Sequence, residues 1–213
     1  MRNDFLDGAR APLLAEMAAA RLLVAFDYDG VLAPLGTAPD GRAMRPGTAR
    51  LVPGKGIVRV GNHGFELGRA VPVPRRVLAQ VADWDAEVAR RLDGMPGWHV
   101  ERAVQAAGRS LAGARLLPGK KVLNVLPASF PTKGDAVRRL LARLRLDVAL
   151  FLGDDRTDED VFRLGAPAVV GVRVGAGASL ARWRMRSQED VDEVLERLRA
   201  WRPLKRAQQE RAP

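Results

Sequence analysis

Two short apolar runs constrain this chain more than anything else in it: residues 22–26 (Leu-Leu-Val-Ala-Phe) and 148–152 (Val-Ala-Leu-Phe-Leu), each leading straight into carboxylates. The first ends at Asp27-Tyr28-Asp29-Gly30, the second at Gly153-Asp154-Asp155-Arg156-Thr157-Asp158-Glu159-Asp160. A brief continuous apolar run with polar flanks reads as a strand buried on both faces, the habit of parallel sheets. Such sheets bind ligands just beyond the carboxyl ends of their strands. Crowding carboxylates there is costly unless a cation compensates them. A hard divalent ion such as magnesium would do so and would bring a phosphate with it. An aspartate after a strand also serves as a turn residue or helix N-cap, and each cluster taken alone stays open to that reading. Both clusters in this order, with Lys133 before a helix between them, form a more specific pattern.

The rest of the chain supplies alternating elements. Helices are expected over residues 13–21, 74–92, 132–144, 157–164 and 188–200. The second carries Val77, Val81, Trp84, Val88 and Leu92 at helical spacing, and the fourth opens on a Thr157/Asp160 capping pair. Further strands are expected over 56–60, 121–126 and 169–174. Strands alternating with helices imply an α/β fold with a mostly parallel sheet and helices on both faces. The expected division is a discontinuous core (13–70 and 128–201), a small reduced α+β cap (71–127) and a flexible polar tail (202–213).

Composition removes whole classes of chemistry. The 213 residues include no cysteine, so thiolate nucleophiles, disulfides and thiolate metal sites are excluded. With only two histidines, His63 and His99, a multi-histidine metal centre is not expected. The net charge of +10 comes largely from arginine, as a GC-rich coding sequence tends to produce. No basic stripe interleaved with aromatics points to nucleic acid. No apolar run approaches the roughly 18 residues of a membrane span. Asp4, Asp7 and Glu16 interrupt the stretch where a signal peptide would sit, so the cytoplasm is the expected compartment. Oligomeric state is open.

Asp27-Tyr28-Asp29-Gly30-Val31-Leu32 resembles the first motif of the haloacid-dehalogenase (HAD) superfamily, and the 153–160 string resembles its fourth motif in the form found in trehalose-6-phosphate phosphatases. Gly61-Asn62-His63-Gly64-Phe65-Glu66, Lys133-Gly134-Asp135-Ala136-Val137 and Ala181-Arg182-Trp183-Arg184 are similar to that family as well. The resemblance implies a HAD-like Rossmannoid core and a Mg2+-dependent phosphomonoesterase acting on a small sugar phosphate, trehalose 6-phosphate. In that reading Asp27 is the nucleophile and Asp29 the general acid and base. Lys133 offsets negative charge. Asp27, the backbone carbonyl of Asp29, and Asp154 bind the metal, with Asp158 acting through a water or from behind them. Asn62, His63, Glu101 and Asn124 are the candidate sugar-phosphate contacts, although His63 between glycines equally suits a turn.

Two departures accompany the likeness. The superfamily's second motif is a serine or threonine at the end of a strand between the first motif and Gly61. Here that interval contains no serine, and its threonines, Thr37 and Thr48, sit in another context. In the cap, Asn124 and Leu126 stand where the family has a glutamate and a base, and the segment from Val100 to Ala103 keeps only Glu101. Two alternatives follow: a relative that binds Mg2+ and phosphate without turnover, or a phosphatase for other small sugar phosphates.

Overall fold

The computed structural model describes residues 4–8, 11–34, 43–52, 57–61, 64–68, 72–94, 108–118 and 123–209. The two apolar runs form β1 (Leu22–Phe26) and a parallel neighbour, Val148–Gly153. Their register runs from Leu22 opposite Val148 to Phe26 opposite Leu152. Arg21 and Asp147 lock it at the amino ends: Arg21 N donates to Asp147 Oδ2 at 3.0 Å, and Asp147 N donates to the Arg21 carbonyl at 2.8 Å. At the other end Asp27 N donates to the Leu152 carbonyl at 2.9 Å. This shared register, with Val148–Gly153 one residue longer than β1, brings Asp27 and Asp154 to neighbouring positions at the carboxyl ends of the two strands.

The chain divides into two units. One comprises Met1–Val58 with Lys133–Pro213. It contains α1 (Ala11–Ala19), β1, α2 (Pro46–Leu51) and, after Lys133, the elements that complete the sheet. The other comprises Arg59–Thr132 and holds the hairpin β2 (Val60–Gly61) and β3 (Glu66–Leu67), α3 (Arg75–Leu92), and the antiparallel pair β4 (Ala114–Pro118) and β5 (Leu123–Pro127). The first unit resumes with α4 (Lys133–Leu144), β6 (Val148–Gly153), a 3-10 turn (Arg156–Asp158), α5 (Glu159–Phe162), β7 (Val169–Val174), β8 (Trp183–Met185) and α6 (Glu189–Gln209).

Among the described residues the main sheet has the order β1-β6-β7-β8, all pairs parallel. Side chains alternate across it, as a period of two requires. Leu150, Leu152, Val172, Val174 and Met185 pack with Leu14 and Met17 of α1 and Val191, Val194 and Leu195 of α6. Ala149, Phe151 and Val169 face the other way, against Val137 of α4 and Val161 and Phe162 of α5. Helices thus cover both faces, the expected mostly parallel α/β arrangement.

Several local expectations change. The strand expected over 56–60 is only Val60–Gly61, paired antiparallel with Glu66–Leu67 outside the parallel sheet. With one β-branched residue and a glycine, it buries too little to join a core sheet. β4 and β8 have no counterpart among the expected strands. The helix expected over 157–164 is a 3-10 turn followed by one short α-turn, and its capping box is Asp155 with Asp158, not Thr157 with Asp160. Val81 of α3 is exposed, and only Trp84 of that helix is buried. Helical backbone continues to Gln209, beyond the expected boundary at 201. No described helix is long and apolar enough to cross a membrane.

Between β1 and the hairpin, the described chain is held by α2. Thr48 is fully buried, and its hydroxyl donates to Asp192 Oδ1 of α6 at 2.6 Å. Arg45 Nη2 reaches Asp192 Oδ2 at 3.0 Å and the Gln188 carbonyl at 2.9 Å. Thr48→Val removes a buried bond to a charged acceptor while keeping the side chain's shape. It should cost about 1.5–3 kcal/mol, read as a lower urea midpoint at unchanged m value.

Candidate active site

Gly30 shows how closely the two acidic loops approach. After Asp27 the chain makes a tight loop in which Leu32 N and Ala33 N both donate to the Tyr28 carbonyl, and Gly30 N donates to the Ala33 carbonyl at 2.7 Å. Gly30 has φ +80°, and a Cβ there would lie 2.0 Å from Asp154 Oδ2. Only glycine permits both the backbone conformation and the approach. Gly153, in ordinary strand backbone, allows a similar approach in the second loop: a Cβ on it would sit 2.5 Å from Asp158 Cγ.

Asp158 folds back because its partners converge on it. Its Oδ2 accepts from Asp154 N and Asp155 N, each at 2.9 Å, and its Oδ1 accepts from Lys133 Nζ at 2.8 Å. It is fully buried. Lys133, the first residue of α4, also reaches Asp27 Oδ1 at 3.1 Å. One ammonium therefore bridges the loop after β1 and the loop after β6. Carboxylate oxygens of Asp27, Asp154 and Asp158 lie within 4.8 Å of one another. These are hard oxygen donors in the cleft between two strand ends, a donor set that fits magnesium better than a softer metal.

Electrostatics follow from this crowding. Burial pushes the Asp158 carboxyl up to about 6; Lys133 opposes the rise and Asp27 adds to it. Burial alone would lower the Lys133 ammonium, but the carboxylates of Asp158 and Asp27 outweigh it and raise its pKa above the usual lysine value. Lys133 therefore stays charged at neutral pH.

The structure brings Asp27, Lys133, Asp154 and Asp158 together. Asp29 sits half-buried in the same loop as Asp27, with its backbone bridged to Ala33. Asn124 belongs to the other unit, where its Nδ2 donates to the Leu117 carbonyl of the facing strand at 3.4 Å. Asn62, His63 and Glu101 lie outside the described residues. Sequence reasoning passed over Arg173, a buried cation on β7 whose Nη1 lies 3.3 Å from the Asp155 carbonyl. Its signal was a charged residue inside Val-Val-Gly-Val-Arg-Val, where every neighbour announces burial.

A parallel sheet with carboxylates at two adjacent strand ends, bridged by a lysine from the intervening helix, is a HAD-like arrangement. Comparisons with known proteins narrow the class. The family model described as Trehalose-phosphatase matches residues 86–189. A bifunctional trehalose-6-phosphate synthase/phosphatase of Thermoproteus tenax is 29% identical over 85% of this chain. A trehalose-phosphate phosphatase of Mycobacterium marinum is 26% identical over 84% of it. The C-terminal domain of the C. albicans trehalose-6-phosphate phosphatase superposes with a TM-score of 0.73 at 19% identity, covering 89% of this chain and 96% of that one. These findings bear out the motif resemblance: the chain is related to the trehalose-phosphatase family. It spans 32% of the Thermoproteus protein's length and 61% of the Mycobacterium protein's.

Lys133→Met should leave buried carboxylates uncompensated and cost about 3–5 kcal/mol at pH 7.5 in metal-free buffer. In the folded state Asp158 holds its proton up to about pH 6, against a reference value of 3.8, so unfolding releases a proton between those values. Stability from this group is therefore greatest at low pH and falls as pH rises through about 6. The loss caused by Lys133→Met should shrink at pH 5, where Asp158 can protonate. Urea unfolding at both pH values checks this, and an equal loss at each would contradict it.

Proposed function

We propose that the chain is a magnesium-dependent phosphomonoesterase of the trehalose-6-phosphate phosphatase type, hydrolysing trehalose 6-phosphate to trehalose and phosphate in the cytoplasm. The observation that carries this reading is Lys133 Nζ bridging Asp27 and Asp158 beside the Asp154 carboxylate. Asp27 attacks phosphorus, forming an aspartyl-phosphate as the bond from phosphorus to the sugar oxygen breaks. Asp29, in its acid form, gives that oxygen its proton. The Asp29 carboxylate then takes a proton from water, whose oxygen attacks phosphorus and releases Asp27 and inorganic phosphate. Lys133 holds the Asp27 carboxylate in place and balances charge at the incoming phosphate. Asp27, the Asp29 carbonyl and Asp154 would hold magnesium, which when bound neutralises charge on the transferring phosphoryl group. Asp158, with both oxygens engaged by protein donors, positions Lys133 and the Asp154 loop.

A second reading, binding without turnover, has its own support. Thr48 gives its hydroxyl to Asp192, and among the described residues β1 has one strand neighbour, β6. Neither observation supplies the hydroxyl that the second motif would offer the phosphate. Losing one such donor costs about 10²- to 10³-fold in rate, so slow turnover is the expected outcome. Asn124, engaged within its hairpin, is a weak sugar contact and leaves room for other small sugar phosphates as substrates.

Phosphate release from trehalose 6-phosphate should require Mg2+, and Asp27→Asn should reduce it by roughly 10⁴-fold or more. Turnover that survives in Asp27→Asn would sink the nucleophile assignment. Calorimetric binding of the ester by folded wild-type protein, with no product, would select the second reading.

A further inference from the structure

Arg173 stands on β7 directly opposite Gly153 of β6, one residue before Asp154. It is 8% exposed, in a strand otherwise made of valines and a glycine. Burying a cation there is expensive unless its donors are used. Nη1 lies 3.3 Å from the Asp155 carbonyl and 3.6 Å from Glu159 Oε1, and Nη2 lies 3.3 Å from the Ala176 carbonyl. Glu159 is fixed in turn, because its Oε2 accepts from Leu180 N at 2.7 Å. One guanidinium fork thus joins the acidic loop after β6 to the loop after β7. The peptide groups of Asp155 are gripped from both directions. Its N–H donates to Asp158 Oδ2, and its carbonyl is held by Arg173. That leaves little freedom to the backbone carrying Asp154.

We propose that Arg173 is a positioning residue for the cation site: through the Asp155 carbonyl and Glu159 it holds the 154–160 loop so that the Asp154 carboxylate presents to a divalent ion. The inference rests on the reading of Asp27 and Asp154 as that ion's ligands. Its charge also offsets the acidic run of Asp154, Asp155, Asp158, Glu159 and Asp160. Lysine could carry the charge, but a single ammonium cannot bond the Asp155 and Ala176 carbonyls with the geometry of a planar fork.

A merely structural role would lower the melting temperature without changing how the folded protein binds metal. Mg2+ is therefore titrated calorimetrically into full-length wild type, Arg173→Met, Arg173→Lys and Asp154→Asn, each shown to be folded by circular dichroism. Support outside the direct ligands is typically worth about 10- to 100-fold in metal affinity. Arg173→Met should lose that much, with Arg173→Lys falling between it and wild type. Unchanged affinity in folded Arg173→Met overturns the proposal. If that variant does not fold, Arg173→Lys decides: weakened binding supports the role and wild-type binding overturns it. No binding by wild type, or binding that Asp154→Asn leaves intact, overturns the site reading beneath it instead.

Discussion

A single ammonium group lets this site exist. Lys133 Nζ contacts both Asp27 and Asp158, and without it three carboxylates, two of them buried, would face one another with no cation between them. Everything around it serves to bring these groups within reach. Strands of matched register end side by side, Gly30 and Gly153 remove the Cβ atoms that would block the approach, and α4 starts with its lysine at the strand ends. The arrangement is balanced only in part by protein charge. The remaining excess of negative charge is what a divalent cation and, after it, a phosphate group would use.

The parts of this design legible in the sequence were those encoded locally. An apolar run followed by a carboxylate specifies both strand and direction, so the two strand ends, the mostly parallel sheet and the grouping of Asp27, Asp154 and Lys133 could be anticipated. Asp158 could not be placed the same way. Its local sequence favours a simple helix start with Thr157 as cap, but a long-range bond to Lys133 and the space above Gly153 draw it back over the strand end, and Asp155 takes over the capping. Arg173 was missed for a related reason. A charge in a valine strand signals burial, but its partners come from two loops, at Asp155 and Ala176, that no sequence period connects to it.

The interval from 22 to 61 is where family pattern and observed structure part. Between β1 and Val60 the described residues form a short helix, α2, and no strand of the parallel sheet; the helix is latched to α6 through Thr48 and Arg45. A threonine in this interval therefore works as a structural tie far from the role a second motif would give it. Among the described residues, the contacts that join Asp27, Lys133, Asp154 and Asp158 come from the ends of β1 and β6 and the start of α4, not from α2.

The central claim is that Asp27 and Asp154 share a divalent cation beside Lys133. Anomalous diffraction from crystals grown with Mn2+ and an inert phosphate mimic tests it most directly. The account predicts one strong manganese peak within coordinating distance of the Asp27 and Asp154 carboxylates. Manganese bound elsewhere, with those carboxylates engaged only by Lys133 and protein amides, would contradict it.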